Sequence, residues 1–209
     1  MGNLAIILGN KNLSSWSLRP WLALKQTDEP CEEIVVLLDR PDTKEKILAH
    51  SPSGRVPCLR DGDVTVWDSL AICEYLNEKF PAARLWPADP VARAVARSVS
   101  AEMHSGFQAL RTNMPMRVRD SLPGKGIADG VQRDIDRIFD IWRDTRRRFG
   151  WEGPYLFGAF SIADAMFAPV VTRFRTYGVP LDDACGAYAE AIWRFPPMQE
   201  WAEAARREP

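Results

Sequence analysis

The stretch SPSGRVPCLRDGDVTVWDSLAICEYLNEKF, residues 51–80, decides the fold. Val56-Pro57 opens a short strand over 56–59, because a proline cannot donate to a ladder and is confined to strand starts and edges. Asp61-Gly62-Asp63 lies between two apolar runs and predicts a hairpin to a second strand over 64–67. Asp68 and Ser69 are both residue types that cap helix N-termini. They open a helix over 68–79, with Leu70, Ile72, Cys73, Tyr75 and Leu76 forming its apolar face.

Before this stretch the chain alternates in type. Leu4-Ala5-Ile6-Ile7-Leu8 predicts a buried strand, and residues 15–26 a helix. Residues 33–38 predict a second strand and 43–49 a short helix. The order over the first eighty residues is therefore βαβαββα, with parallel strands from the βαβ unit and antiparallel ones from the hairpin. After it, Pro81, Pro87 and Pro90 fall within ten residues and suit an interdomain linker. From residue 91 no strand pattern remains. Residues 91–119 predict a long helical stretch broken near Pro115, and 121–130 a loop. Val131, Ile135, Ile138, Phe139 and Trp142 predict an amphipathic helix ending in Arg146-Arg147-Arg148, which complement the negative end of its dipole. Ser161-Ile-Ala-Asp164 starts another helix through a capping box with Asp in place of Glu. Helices around 183–194 and 197–206 follow. The organisation expected is an α/β domain over 1–80, a linker over 81–90 and an all-α domain over 91–209.

Eight Trp, nine Phe and 46% hydrophobic residues can build a substantial core. A formal net charge of −1 gives no general electrostatic footprint for nucleic acid or an anionic membrane. The N-terminal MGNLAIILGNK lacks a basic region and its apolar run is short for a secretory signal, so a cytoplasmic protein is expected. Cys31, Cys58, Cys73 and Cys185 are scattered, form no CxxC, and have only His50 and His104 for company. Free thiols in a reducing compartment and no metal centre are expected.

Three sites combine. Val56-Pro57, if cis, turns the Val56 backbone outward to pair with an extended peptide; the alternative is an ordinary trans bond at a loop end. Asp68-Ser69 can simply cap a helix, or can in addition meet the ammonium and carboxylate of an α-amino acid. In Lys11-Asn-Leu-Ser14-Ser15-Trp16-Ser17-Leu18-Arg19, hydroxyls cluster where the first helix begins. They can cap it, or donate to a ligand thiolate placed there. Together these features fit a zwitterionic, peptide-like ligand bearing a thiol.

At these residues, and over essentially its whole length, the chain resembles the cytosolic glutathione S-transferase superfamily. Residues 51–81 resemble its glutathione-binding block, and FSIADAMFAP resembles the helix-capping motif of its second domain. The resemblance implies a thioredoxin-like N-terminal domain, an all-helical C-terminal domain, glutathione as co-substrate and a homodimer. It implies that Val56, beside a cis Pro57, pairs with the cysteinyl unit. Asp68 faces the γ-glutamyl ammonium and Ser69 binds its carboxylate. Ser14, with Ser15 a close second, matches the thiolate-stabilising serine. The opening Ser14-Ser15-Trp16-Ser17 is similar to the zeta class, with Trp16 where that class carries cysteine. Arg55, His50 and Lys11 are candidate cations for the glycyl carboxylate. Met103, His104, Phe107 and Arg111 are candidate walls of the electrophile pocket, with core or a solvated stripe as the alternative. Gln108, Arg117 and Arg119 lie near them, and Arg173 and Arg175 are both near the position of a basic substrate-binding residue. The expected activity is conjugation of an electrophile. The alternatives are glutathione-dependent cis–trans isomerisation of the maleylacetoacetate isomerase type, and a non-catalytic binder of this fold.

Overall fold

The computed structural model describes residues 4–209. The elements are β1 (Leu4–Gly9), α1 (Ser15–Lys25), β2 (Glu32–Val36), α2 (Thr43–Leu48), β3 (Cys58–Asp61), β4 (Val64–Trp67) and α3 (Ser69–Lys79). Then come α4 (Pro90–Ser105), α5 (Gln108–Asn113), α6 (Val131–Phe149), α7 (Ile162–Tyr177), α8 (Asp183–Arg194) and α9 (Pro196–Arg207). The sheet order is β2-β1-β3-β4. β1 runs parallel to β2 and antiparallel to β3, and β3 is antiparallel to β4.

Strand parity sorts the core. Leu4, Ile6 and Leu8 share one face of β1 and join Leu18, Leu22, Ile72 and Leu76 of α1 and α3. Ile7 points the other way, into a small cluster with Val36, Cys58 and Ile47 of α2. The larger cluster runs without a break into the helical half, through Met103, Trp142, Phe167 and Trp201. The sheet is thus covered on both faces, which is why β1 reads as a continuous apolar run.

Some boundaries differ from the sequence expectation. β3 starts at Cys58, paired with Ile7, because Pro57 has no N–H to offer the ladder. β2 ends at Val36, and the Leu38 N–H turns to the Asn10 side-chain oxygen at 3.2 Å. The hairpin is as expected: Asp61 pairs with Val64, and Gly62 takes φ +58°, where a glycine carries no steric cost. The helical stretch ends at Asn113, just before Pro115 as expected, and it also breaks earlier, at Gly106-Phe107. Phe107 adopts φ +60° and α5 begins afresh, with the Leu110 N–H donated to Asp134 of α6 at 3.0 Å. Burying the Phe107 ring in the core sets this turn. The proline-rich segment is also tied down: Leu85 and Trp86 are buried, and the Trp86 indole donates to Glu74 at 3.0 Å. Among the described residues no helix is long and apolar enough to cross a membrane.

Candidate active site

The β1–α1 junction places hydroxyls at the start of α1. Ser14 is its N-cap; its oxygen accepts the Ser17 N–H at a long 3.4 Å. The Ser14 hydroxyl donates to the Ser17 oxygen at 2.7 Å, and that oxygen also takes the Gly9 N–H at 3.0 Å. The Ser14 proton is thus committed within the protein. Ser15 differs. Its oxygen accepts from the Arg173 guanidinium of α7 at 3.2 Å, and its own proton has no acceptor among the described residues. A hydroxyl whose oxygen is held by a cation is polarised towards donating.

The second element is the segment before β3. The Val56-Pro57 bond is cis, and the Val56 N–H and C=O make no backbone hydrogen bond among the described residues. The third is the start of α3. Asp68 caps it through Oδ1, which accepts the N–H of Leu70 at 2.9 Å and of Ala71 at 3.2 Å. The other oxygen lies 3.0 Å from His104 Nε2 of α4. Asp68 sits at φ +77°, a region costly for any residue with a side chain. Ser69 is buried and its hydroxyl has no partner among the described residues. Capping and a ligand role are therefore compatible here: one Asp68 oxygen caps the helix, and a buried polar group beside it lacks the hydrogen bond such groups normally have.

These elements line one cleft. A lobe of about 570 Å³ holds Ser53, Pro57, Trp67, Asp68, Ser69 and His104. A second lobe of about 550 Å³ holds Ser14, Ser15, Arg111, Pro115, Met116 and Arg173. Trp16, Arg55 and Val56 belong to both. The Trp16 indole has the guanidinium groups of Arg19 at 4.2 Å and Arg111 at 4.7 Å from its ring centre, with the His104 ring edge-on at 5.3 Å.

Arg19, Arg111 and Arg173 form a cationic cluster. Their hydrogen bonds go mainly to backbone carbonyls: Arg19 to Met166 at 3.2 Å, Arg111 to Gly106 at 2.8 Å, Arg173 to Met114 at 2.9 Å. Each keeps at least one buried nitrogen without a partner among the described residues. Burial, then repulsion by Arg111, pulls Arg173 from 12.5 to about 9. Burial pulls Arg111 to about 10, although Asp134 opposes this. Arg19 is lowered by burial, then by Arg111 and Arg173. Buried positive charge without a carboxylate partner is costly, and an anion in the cleft would relieve it.

The protein's own thiols are not competitors. Burial raises Cys31 to about 11 and Cys185 to about 12, and pushes Cys58 and Cys73 up as well. None is a thiolate near neutral pH, and none lines the cleft. Among the described residues no group of His, Cys, Asp and Glu is placed to hold a metal.

Of the residues singled out in the sequence, the cleft gathers Ser14, Ser15, Arg55, Val56, Pro57, Asp68, Ser69, His104 and Arg111. It does not gather His50, which lines neither lobe. Nor does it gather Lys11, paired with Glu33 at 2.7 Å. Met103 and Phe107 are corrected from pocket wall to core, since helical spacing alone does not separate a wall from an interior. Gln108 bonds Thr112, Arg117 pairs with Asp120, and Arg175 pairs with Glu190 at 3.6 Å, all outside the cleft. Arg173 is thus the basic residue of α7 that reaches the site. Arg19 was missed in the sequence; its place three residues after Trp16, on the same helix face, was the available signal.

Comparison with known proteins agrees with this geometry. The glutathione S-transferase N-terminal domain model matches residues 13–79, and the C-terminal domain model matches residues 118–204. Mouse maleylacetoacetate isomerase is 39% identical over 169 residues, covering 80% of this chain and 76% of that protein. The rat protein of the same name is 31% identical over the same shares. The crystal structure of a Burkholderia glutathione transferase homologue with bound glutathione matches over 100% of both chains, with a TM-score of 0.74 and 25% identity. With both halves matched and a relative of this identity spanning most of its length, the chain belongs to the glutathione S-transferase family.

Proposed function

We propose that this glutathione transferase holds glutathione across both lobes of the cleft and directs its sulfur at a small carboxylate-bearing electrophile. The cysteinyl unit pairs with the free backbone of Val56. The γ-glutamyl carboxylate takes the Ser69 hydroxyl at the start of α3, and its ammonium shares Asp68 with His104. Arg55, which borders both lobes, faces the glycyl carboxylate. Ser15 donates its uncommitted proton to the thiolate, while Ser14 caps α1 and orients the Ser14–Ser17–Gly9 chain. Arg111 and Arg173 hold the carboxylate of the electrophile.

The observation that carries this reading is the pair of buried guanidinium groups beside Ser15, Arg111 and Arg173, which have no carboxylate in hydrogen-bond contact among the described residues and each keep one nitrogen unpaired. They supply positive charge both to the sulfur and to an acidic second substrate. The sulfur adds to an electron-poor carbon. If a leaving group departs, the product is a conjugate. If the adduct rotates about the former double bond and expels the sulfur again, the product is the isomer, as the names of the mouse and rat relatives suggest. A cis-alkenoic keto-acid presented with sub-stoichiometric glutathione separates the two. Full turnover with glutathione recovered supports isomerisation; consumption of one glutathione per product supports conjugation. Failure to turn over acidic electrophiles, with neutral aryl halides turned over well, would discard the assignment to Arg111 and Arg173.

A homodimer in the cytoplasm is part of the proposal. Support comes from the free cysteines and from the apolar edge strand β4, where Val64 and Trp67 are exposed. Sedimentation at micromolar concentration tests the dimer.

A further inference from the structure

The loop between β1 and α1, residues 10–13, leads directly into Ser14 and Ser15, and its polar groups are held by the helical half. The N–H groups of Lys11 and Asn12 both donate to the carboxylate of Glu208, in the segment after α9, the second at 2.9 Å. The Trp201 indole donates to the Lys11 carbonyl at 2.8 Å. The Val118 N–H donates to the Asn12 carbonyl at 3.2 Å, and the Arg119 N–H to the Asn12 side chain at 3.0 Å. Arg119 in turn fixes Glu208, its guanidinium donating to the Glu208 carbonyl at 2.8 Å. Lys11 and Asn12 are buried, so water cannot readily replace a lost acceptor. On the other side the Asn10 carbonyl takes the N–H of Leu13 and of Ser14, carrying the loop's conformation into the helix cap.

We infer that Glu208 is a positioning residue for the thiolate step. Its carboxylate grips two successive amides and so fixes the loop that aims the Ser15 hydroxyl. Glu208 lines neither lobe of the cleft, so it acts only through this loop. An oriented donor loses most of its effect when displaced by about 1 Å. Release of the loop should therefore weaken thiolate stabilisation more than glutathione binding, which rests on Val56, Asp68 and Ser69.

The inference rests on the serine role proposed above, and its test separates the two. Glu208→Ala and the milder Glu208→Gln are compared with the parent by ultraviolet titration of the bound thiol and by steady-state kinetics. The expected result for Glu208→Ala is a thiol pKa raised by about half a unit to one unit, with kcat lower by about 3- to 10-fold at neutral pH. The KM for glutathione should stay within about twofold, and Glu208→Gln, keeping one acceptor oxygen, should fall between. A thiol pKa that falls would mean that the Glu208 charge, not its grip, is felt at the sulfur. A thiol pKa that stays fixed in both variants while melting temperature drops would mean that Glu208 only stabilises the fold. Either outcome overturns the inference. If Ser15→Ala raises the thiol pKa and the Glu208 variants do not, only this inference fails. If Ser15→Ala leaves the pKa unmoved, the serine assignment fails first.

Discussion

Replacing Ser15 by alanine tests the chemistry most directly. The side chain is buried, its oxygen holds Arg173 at 3.2 Å, and its proton is uncommitted. A hydrogen bond from this hydroxyl to a thiolate is worth about 1.5–3 kcal/mol. At about 1.4 kcal/mol per unit, its loss should raise the bound thiol pKa by roughly one to two units. The acid limb of the kcat/KM profile should shift by the same amount. Activity at neutral pH should fall by about 10- to 100-fold and recover towards the parent's in alkali, where the sulfur ionises unaided. Ser14→Ala makes the contrast. Its proton goes to Ser17 at 2.7 Å, so its removal mainly costs the cap of α1, about 1 kcal/mol of stability, with a smaller change in the acid limb. The assay is a pair of pH–rate profiles, supported by ultraviolet titration of the bound thiol. If Ser14→Ala moves the limb by more than a unit and Ser15→Ala does not, the reasoning from proton commitment is wrong, and Ser14 donates to the sulfur after rotating away from Ser17.

Three further outcomes are expected. Arg173→Met should lower kcat/KM for a neutral aryl halide through its lost support of Ser15 and the sulfur, and for acidic electrophiles by about 10- to 100-fold more than that, the worth of a charge-assisted hydrogen bond; equal losses on both substrate types would show that the residue does not read the carboxylate. Asp68→Ala should raise the glutathione KM and lower the melting temperature, because it removes both a ligand contact and the cap of α3; an unchanged KM would leave Asp68 with the cap alone. Asp164 should make stability fall with pH across a mildly acidic window. Burial raises its carboxyl from 3.8 to about 6, against hydrogen bonds from Leu156 and Ser161. The unfolded chain then releases this proton first, so stability is greatest below the unfolded value, falls as pH rises to about 6, and is flat above. Subtracting the denaturation curves of Asp164→Asn from those of the parent isolates this contribution, and a difference that does not vary between pH 4 and 6 would refute it.

Much of this was legible locally. Element order came from periodicity and turn chemistry: the period-two runs around Gly62, the cap residues at Asp68 and Ser161, and the proline cluster at 81–90. Each depends on neighbours a few residues apart. Boundaries set by distant partners were less legible. The break at Phe107 depends on a ring buried in the core and on Asp134, far along the chain. The choice between core and pocket wall for Met103 and Phe107 fell to core for a related reason, since a helix face does not announce whether it meets a cavity or an interior.

The sequence by itself determined the α/β-then-helical architecture and the cis-proline and helix-cap residues that line one lobe of the cleft, because those features are written in short motifs whose geometry is local. Only the tertiary structure decided which serine keeps a free proton, which arginine of α7 reaches it, and that Arg111 comes to the Trp16 ring. The Ser15–Arg173 and Trp16–Arg111 contacts join side chains more than ninety residues apart. Their meeting depends on how α1 packs on α7 through the shared core, and no spacing along the chain encodes it.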